Sequence, residues 1–421
     1  MDPMIREAQT EEKVSTGSLP LEGLRVLDFS HAAAGPFATM FLADMGAQVY
    51  KVEKPGRGDG SRYMGEPLLG PVDSDYYLSL NRNKKSVLID LSTERGQVLA
   101  QEMAAQSDII VQNFRPGVME RLGLGYEDLR KRRTRLIYCS ISAFGSSGPW
   151  RGRPANDIIM QSVSGLMGIT GEVGGGPVRI GAPISDFATG LFALSGILVS
   201  LYKRDSHPEG QHVEIAMLDA SLAMMTNYIP SVATLGGRIP RLGRGHAQIV
   251  PYQAFVCADG HYVMVGAFTQ GFWRRLAEAV GRPEWIDNPR FVSNAARVEH
   301  RDELLGLLEG IFKERTRDEW LEVLERADVP NSPVLELDEA IASEQARHNH
   351  VVQHLEADGR AVDVIKLPVG SDRWAPGAAS MPPVMGEHTD QVLQELLGLD
   401  RQSVDELVEA GVVGRVEGER R

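Results

Sequence analysis

Residues 24–53 read LRVLDFSHAAAGPFATMFLADMGAQVYKVE, and the fold class follows from how their apolar positions recur. RVLDF (25–29) is a short, nearly continuous apolar run, the signature of a strand buried on both faces. PFATMFLADMG (36–46) carries apolar residues at helical spacing and closes on a glycine. QVYKVE (48–53) returns to β-branched and aromatic residues. Strand, helix and strand in so short a span make a βαβ unit, whose two strands must lie parallel.

Outward from this unit the alternation continues. SVLIDL (86–91), a helical TERGQVLAQEMAAQ (93–106), DIIVQNF (108–114), two short helical pieces and LIYCSIS (136–142) extend it. The reading is α/β, a parallel sheet with helices packed on it, which places ligand loops at the carboxyl ends of the strands. A helix from Phe187 to Lys203 leads to HVEIAML (212–218). GGRIPRLGRGH (236–246) then crosses into a second domain, where YQAFVCADGHYVMVGA (252–267) reads as a hairpin turning at Asp259-Gly260 before amphipathic helices to about Leu324. From Pro330 onward short strands, the proline-rich MPPVMGEHT and a last helix at Asp390 to Leu397 are expected. GEVGGGP (171–177) has too many glycines to hold one shape without a partner and is expected to be a mobile loop.

The chain has 421 residues, 24% charged and 43% hydrophobic, the composition of a soluble globular protein. Its 44 basic residues against 57 acidic ones leave a formal charge of -13, which argues against nucleic acid or anionic lipid as partner. The polar N-terminus has no apolar core for a signal, and no run is expected to reach the ~18 residues of a membrane span. The best approximation, Phe187 to Tyr202, reads as a buried helix, so a cytoplasmic location, or an organelle matrix, is expected. Cys139 and Cys257 lie in strand-like runs and read as buried, inert thiols.

Phosphate-loop, nucleophile-elbow and HExxH motifs are absent from the sequence. The helix after RVLDF opens with HAAAGP rather than GxGxxG, which gives an ordinary dinucleotide fold little support. Its small residues suit either close approach of an anionic ligand to free backbone N–H groups or tight packing on the sheet. Two basic clusters, 81–85 and 131–135, precede strands, and Arg115 follows one; each reads as solvated surface or as a grip on phosphates. His348, His350 and His354 include a pair at helical i, i+4 spacing but read as surface histidines, so no metal site is expected. RPANDIIMQSVSG (153–165) places Asp157 at a helix start, where an aspartate commonly caps free N–H groups. No histidine occurs between His31 and His207, so an imidazole base on the segment leading to Asp157 is excluded.

LRVLDFSHAAAGPFATMFLADMGAQVYKVEKPGRGD, NRNKKSVLIDL, NFRPGVMERLGLGYEDL, RLIYCSISAFGSSGPW, ANDIIMQSVSGLM and PVRIGAPISDFATGLFA resemble, in this order, the family III coenzyme A transferases of the CaiB/BaiF type. The likeness runs from about residue 20 to MGEHTDQVLQEL near the end. It implies an interlocked homodimer. Each chain would have a flexible arm (1–19), a large Rossmann-like α/β domain (20–225), a smaller α+β domain (226–330) and a C-terminal segment completing the large domain (331–421). It also implies no resident cofactor, with a coenzyme A thioester as substrate.

Carried over by the resemblance, Asp157 is the nucleophile. Its carboxylate attacks an acyl-CoA to give a mixed anhydride and CoA thiolate, and the thiolate returns to form an aspartyl-CoA thioester. An acceptor carboxylate completes the transfer without ATP. His31, Ala32, Ala33, Lys84, Asn113, Phe114 and Arg115 match CoA-contacting positions, with Arg82 and Lys85 as weaker ones. The likeness is greatest to relatives that move CoA between dicarboxylic acids with succinyl-CoA as a common donor. A second carboxylate needs a cation, for which Arg179, Arg244 and His246 are the candidates. Malate, citramalate, glutarate and mesaconate are the open acceptors. The alternatives are an α-methylacyl-CoA racemase, which resembles a Gly-His-Asp pattern where this chain has Ala155-Asn156-Asp157 and pairs its aspartate with a histidine on the preceding segment, where this chain has none, and a non-catalytic CoA-binding subunit working with a paralogue in a hetero-oligomer.

Overall fold

Val26 and Leu27, adjacent in β1 (Arg25–Asp28), are both fully buried, because helices cover both faces of the sheet they belong to. The computed structural model describes residues 18–69, 72–374, 376 and 379–416; the expected N-terminal arm lies outside them apart from Ser18 and Leu19. Val26, Ile109, Val111, Ile137, Cys139 and Ile141 point into one core, shared with α1 (Ala34–Asp44) and the long helix Ile184–Lys203. Leu27, Ile110 and Tyr138 point into the other, shared with the helices Glu94–Ala105, Thr389–Leu397 and Arg401–Glu409. This alternation, apolar on both sides, is why the strands read as continuous apolar runs.

The sheet continues with β2 (Gln48–Glu53), β3 (Lys84–Ile89), β4 (Ile109–Gln112), β5 (Ile137–Ser142) and β6 (Gln211–Ala216). These strands are all parallel, in the spatial order 3-2-1-4-5-6. A last strand, β7 (Val413–Gly414), adds antiparallel to β3 at the outer edge. The order is that of doubly wound dinucleotide-binding folds although the glycine fingerprint is missing. It reverses direction between β1 and β4, the crevice where such sheets hold ligands.

Contacts divide the chain into two units: residues to Ser164, 182–224 and 348–421 in the first, 165–181 and 225–347 in the second. The exit at Met224 adjoins the expected boundary at 225, but the return comes later than the expected 330. The strand Asn331–Pro333 pairs with Tyr262–Gly266, which itself pairs with Tyr252–Val256, and so stays with the second unit. Residues 165–181 stay there too, because Gly243 N–H donates to Gly171 O at 2.9 Å and Arg241 donates to Gly175 O at 3.0 Å and to Gly168 O at 3.1 Å. These are the partners that the glycine-rich stretch 171–177 lacks in the sequence alone. Trp273, Trp285, Phe291, Phe312 and Trp320 build the core of this unit.

His348, His350 and His354 are exposed, and His354 lies in the strand Val352–Ala357, facing Asp363 across a hairpin at 2.8 Å. One expectation needs correction. The long helix starts earlier than Phe187 and spans 20 residues, with a mean hydropathy of 1.7 over its most apolar 18-residue stretch, so by length and composition alone it reaches a membrane span. Ala188, Ala193 and Ile197 nevertheless pack it against the sheet and α1, whereas Leu191, Phe192, Val199 and Tyr202 are exposed. Cys139 and Cys257 are buried free thiols.

Candidate active site

At the carboxyl end of β1 the chain is held from beneath by buried charges. Asp28 accepts the N–H of Ser30 at 2.9 Å and the hydroxyl of Thr39 at 2.7 Å, and pairs with Lys84 at 3.3 Å. Lys51 donates to Ser30 O at 3.0 Å and pairs with Asp59 at 2.7 Å. Asp59 in turn accepts the N–H of Ala32 at 3.2 Å. Burial disfavours the Asp59 charge, yet Lys51 and His31 hold its carboxyl far below the usual range. Ala32 sits in the left-handed region at φ 60°, and α1 begins with no side chain capping its first N–H groups. The arrangement leaves the free end of α1 beside the crevice, the setting that favours anionic groups.

From β4, Asn113 locks onto the same loop. Its Oδ1 accepts the N–H of His31 at 2.9 Å and its Nδ2 donates to His31 O at 2.8 Å. Phe114 stands edge-on to the His31 ring at 5.1 Å. Burial and the charge of Lys51 push the imidazole below its ordinary value, against the pull of Asp59. Arg115 is exposed, and its guanidinium has no hydrogen-bond or ion-pair partner among the described residues. His31, Ala32, Ala33, Asn113, Phe114 and Arg115 therefore meet at the point where the strand order reverses.

Lys84 does not join them as a contact for phosphates. Its ammonium is fully buried, and Asp28, Pro36 O (3.0 Å) and Asn81 Oδ1 (2.9 Å) take its three donors. Burial pushes it down to about 7 against the pull of Asp28. The rest of the 81–85 cluster is similarly engaged: Arg82 grips Asp44 through two bonds, and Lys85 reaches Glu395 at 3.3 Å. The cluster ties β3 to α1 and to the C-terminal helices. In the other cluster, Arg133 pairs with Asp108 and Arg135 with Asp205.

Asp157 opens the helix Asp157–Ser164 but does not cap it. That role falls to Asn156, whose Oδ1 accepts the N–H of Ile159 at 3.2 Å. The Asp157 carboxylate is turned instead toward Gln161, whose Nε2 donates to Oδ2 at 2.7 Å, and toward the first turn of the long helix. There the N–H of Ser185 donates to Oδ1 at 2.9 Å, and that of Asp186 at 3.4 Å. Among the described residues no imidazole is bonded to it. Half-buried and held by three donors, the carboxylate is fixed in one orientation. The dipole of a 20-residue helix favours its charge.

The long helix joins the two halves. A Cβ on Gly190 would meet Ala34 O at 2.7 Å, so the absence of a side chain lets the start of α1 touch this helix one turn after Asp186. Phe187 packs on Phe37 of α1 at 4.7 Å. Burial pushes Asp186 up to about 7, with the Asp157 charge adding to the shift. Tyr76, raised to about 12 by burial, feels Asp186, Asp157 and Asp59 together. Gln161, Asp186, Tyr76, Lys51 and Asp59 were not legible as site residues. Only Gln161, one helical turn from Asp157, had a sequence signal that could have found it.

Arg179, Arg244 and His246 belong to the second unit. Arg179 donates to Gly181 O at 2.9 Å, and Arg244 lies over the Tyr262 ring at 5.1 Å. His246 Nδ1 accepts the N–H of Gln248 at 3.1 Å.

The fold and the site together define a class: a doubly wound α/β protein with an anion-favouring crevice and an oriented aspartate that has no imidazole partner among the described residues. Residues 21–389 match CoA-transferase family III, and the chain belongs to that family. It is 38% identical to a succinyl-CoA:glutarate CoA-transferase of Homo sapiens, covering 94% of this chain and 91% of the relative. It is 34% identical to a succinate-glutarate CoA-transferase of Agrobacterium fabrum, covering 91% and 97% respectively. A crystal structure of a CAIB/BAIF family protein from Brucella suis superposes with a TM-score of 0.81 at 32% identity, over 90% of this chain and all of that one. The protein is an enzyme, a CoA-transferase.

Proposed function

We propose that the enzyme moves CoA from succinyl-CoA to a dicarboxylic acid, with glutarate the first acceptor to test, through Asp157. One observation carries the proposal: the Asp157 carboxylate is held by Gln161 and by backbone N–H groups at a helix start, and no base is bonded to it. Such a carboxylate is oriented and, among the described residues, has no base with which to shuttle a proton. Oxygen of Asp157 bonds to the thioester carbonyl while the C–S bond breaks, giving an aspartyl anhydride and CoA thiolate. The thiolate then attacks the aspartyl carbonyl, releasing succinate and leaving an aspartyl-CoA thioester. The acceptor carboxylate attacks that thioester and expels CoA thiolate, giving a second mixed anhydride, and the thiolate then attacks the acceptor's acyl carbon, forming the new CoA thioester and releasing the Asp157 carboxylate. The N–H groups of Ser185 and Asp186 already point at the reacting carboxyl, where negative charge develops in each tetrahedral step.

Arg115 binds CoA phosphate in this reading, with the His31–Ala33 loop and Asn113 shaping the crevice. Arg179, Arg244 and His246 supply the cation for the second carboxylate. The two relatives named above, both acting with glutarate, support a dicarboxylate. An interlocked homodimer is part of the same proposal, supported by apolar side chains exposed on the first unit at Ile158, Ile159, Leu191, Phe192 and Tyr202; a monomeric mass by light scattering would remove it. A cytoplasmic location completes the proposal.

The test is a panel of acceptors (succinate, glutarate, malate, citramalate, mesaconate and matched monocarboxylates) with succinyl-CoA, read by chromatography, with Asp157→Ala as control. Transfer to dicarboxylates by the native enzyme alone is expected. Exchange of the substrate α-hydrogen with solvent in place of transfer points to the racemase, and binding without turnover to a non-catalytic subunit.

A further inference from the structure

Among the buried carboxylates of the first unit, Asp28 is paired with Lys84, Asp44 with Arg82, Asp59 with Lys51 and Glu53 with Arg62. Asp186, half-buried in the first turn of the long helix, has no such partner: its side chain has no cation and no hydrogen-bond donor among the described residues, and the charge that acts on it is another carboxylate, that of Asp157. Its own backbone N–H points at Asp157 Oδ1 at 3.4 Å, so the two residues are fixed relative to each other by the chain. Phe187 and Phe37 close one side of this turn with apolar surface.

We infer that Asp186 is a positioning residue of the proposed transfer reaction: as a neutral carboxylic acid it leaves the only negative charge on Asp157, and on losing its proton it switches the site off. The inference rests on Asp157 being the nucleophile. The CoA thioester, the acceptor and each tetrahedral intermediate carry negative charge. A second anion beside Asp157 repels all of them, at a place where water screens poorly.

The titratable groups facing Asp186 are Asp157, on the Asp157–Ser164 helix, and Tyr76, on the helix Asp75–Leu80, whose phenol is raised to about 12 and stays neutral at working pH. The ionisable residues on the other elements against the long helix, Asp44 of α1, Tyr138 and Cys139 of β5, His212 and Glu214 of β6 and Asp219 of the helix Met217–Ala223, do not contribute to its shift. Burial and Asp157 both push Asp186 up, to about 7, and no cation opposes them. The switch therefore falls near neutral pH, with the active form on the acid side.

The experiment is the pH profile of kcat/KM for succinyl-CoA with glutarate, for the native enzyme, Asp186→Asn and Asp186→Glu, with kcat followed separately. In the native enzyme kcat/KM is expected to fall about tenfold or more between pH 6 and pH 8.5, as a single group titrates. Asp186→Asn, close in shape and neutral at every pH, is expected to be active and flat across that range. Asp186→Glu is expected to restore a falling limb. A native profile without the fall, or an Asp186→Asn profile with the same fall, overturns the inference. Neither result touches the reading of Asp157, which fails separately if Asp157→Ala transfers CoA at the native rate.

Discussion

Gln161 stands one helical turn after Asp157, and its amide Nε2 donates to Asp157 Oδ2 at 2.7 Å. The bond runs along one helix face, so a single segment supplies both the proposed nucleophile and the group that aims it. The other carboxylate oxygen is held from the long helix, by the N–H of Ser185. Replacing Gln161 with leucine removes the side-chain donor and leaves the backbone one. A hydrogen bond to a charged group contributes ~1.5–3 kcal/mol, so kcat is expected to fall roughly 10- to 100-fold, with KM for acyl-CoA little changed. Steady-state kinetics of Gln161→Leu checks this. An unchanged kcat means that the backbone donors suffice.

Lys84 and Arg115 were both expected to contact CoA, and the structure gives them different surroundings. Lys84→Met leaves Asp28 buried without its cation, and breaking a buried pair costs about 3–5 kcal/mol. A large drop in the urea midpoint is expected, measured by circular dichroism. Arg115→Ala removes an exposed, unpartnered guanidinium, so stability is expected to hold while KM for the CoA thioester rises about tenfold. Arg115→Ala with a native KM moves the phosphate contact elsewhere.

Asp186 links stability to pH in a direction that can be worked out. Its carboxyl is raised to about 7 in the folded enzyme from 3.8. Between these values the folded state binds more protons than the unfolded state, so this group's contribution to stability declines as pH rises from about 4 through 7. Asparagine has no proton to lose. Asp186→Asn is therefore expected to melt a few degrees higher than the native enzyme at pH 8 and at the same temperature near pH 4. An equal difference at both pH values assigns the effect to packing instead.

The parallel sheet was legible because strands buried on both faces carry apolar residues at consecutive positions, as Val26-Leu27, Val87-Leu88-Ile89 and Ile109-Ile110-Val111 do. The hairpin at Asp259-Gly260 was legible from its turn residues: Gly260 takes φ 80°. The pairing of β7 was not, because a two-residue strand has no periodicity and finds β3 from the far end of the chain. Asp157 was visible, but its role as a cap was misread, since the Asn one position earlier competes for the same N–H groups. Charge pairing was the least legible. Lys84 sits in a run of polar residues that looks like solvated surface, and its partner Asp28 lies 56 residues away. Local sequence shows that a charge is present; only the fold shows whether it faces water or another charge.

The most direct test of Asp157 as nucleophile is to incubate the enzyme with succinyl-CoA without acceptor, quench, digest and weigh the peptides. The expected result is a peptide containing Asp157 heavier by one CoA thioester, absent in Asp157→Ala and discharged on adding glutarate. An unmodified Asp157 peptide from enzyme that transfers CoA under the same conditions contradicts the covalent mechanism.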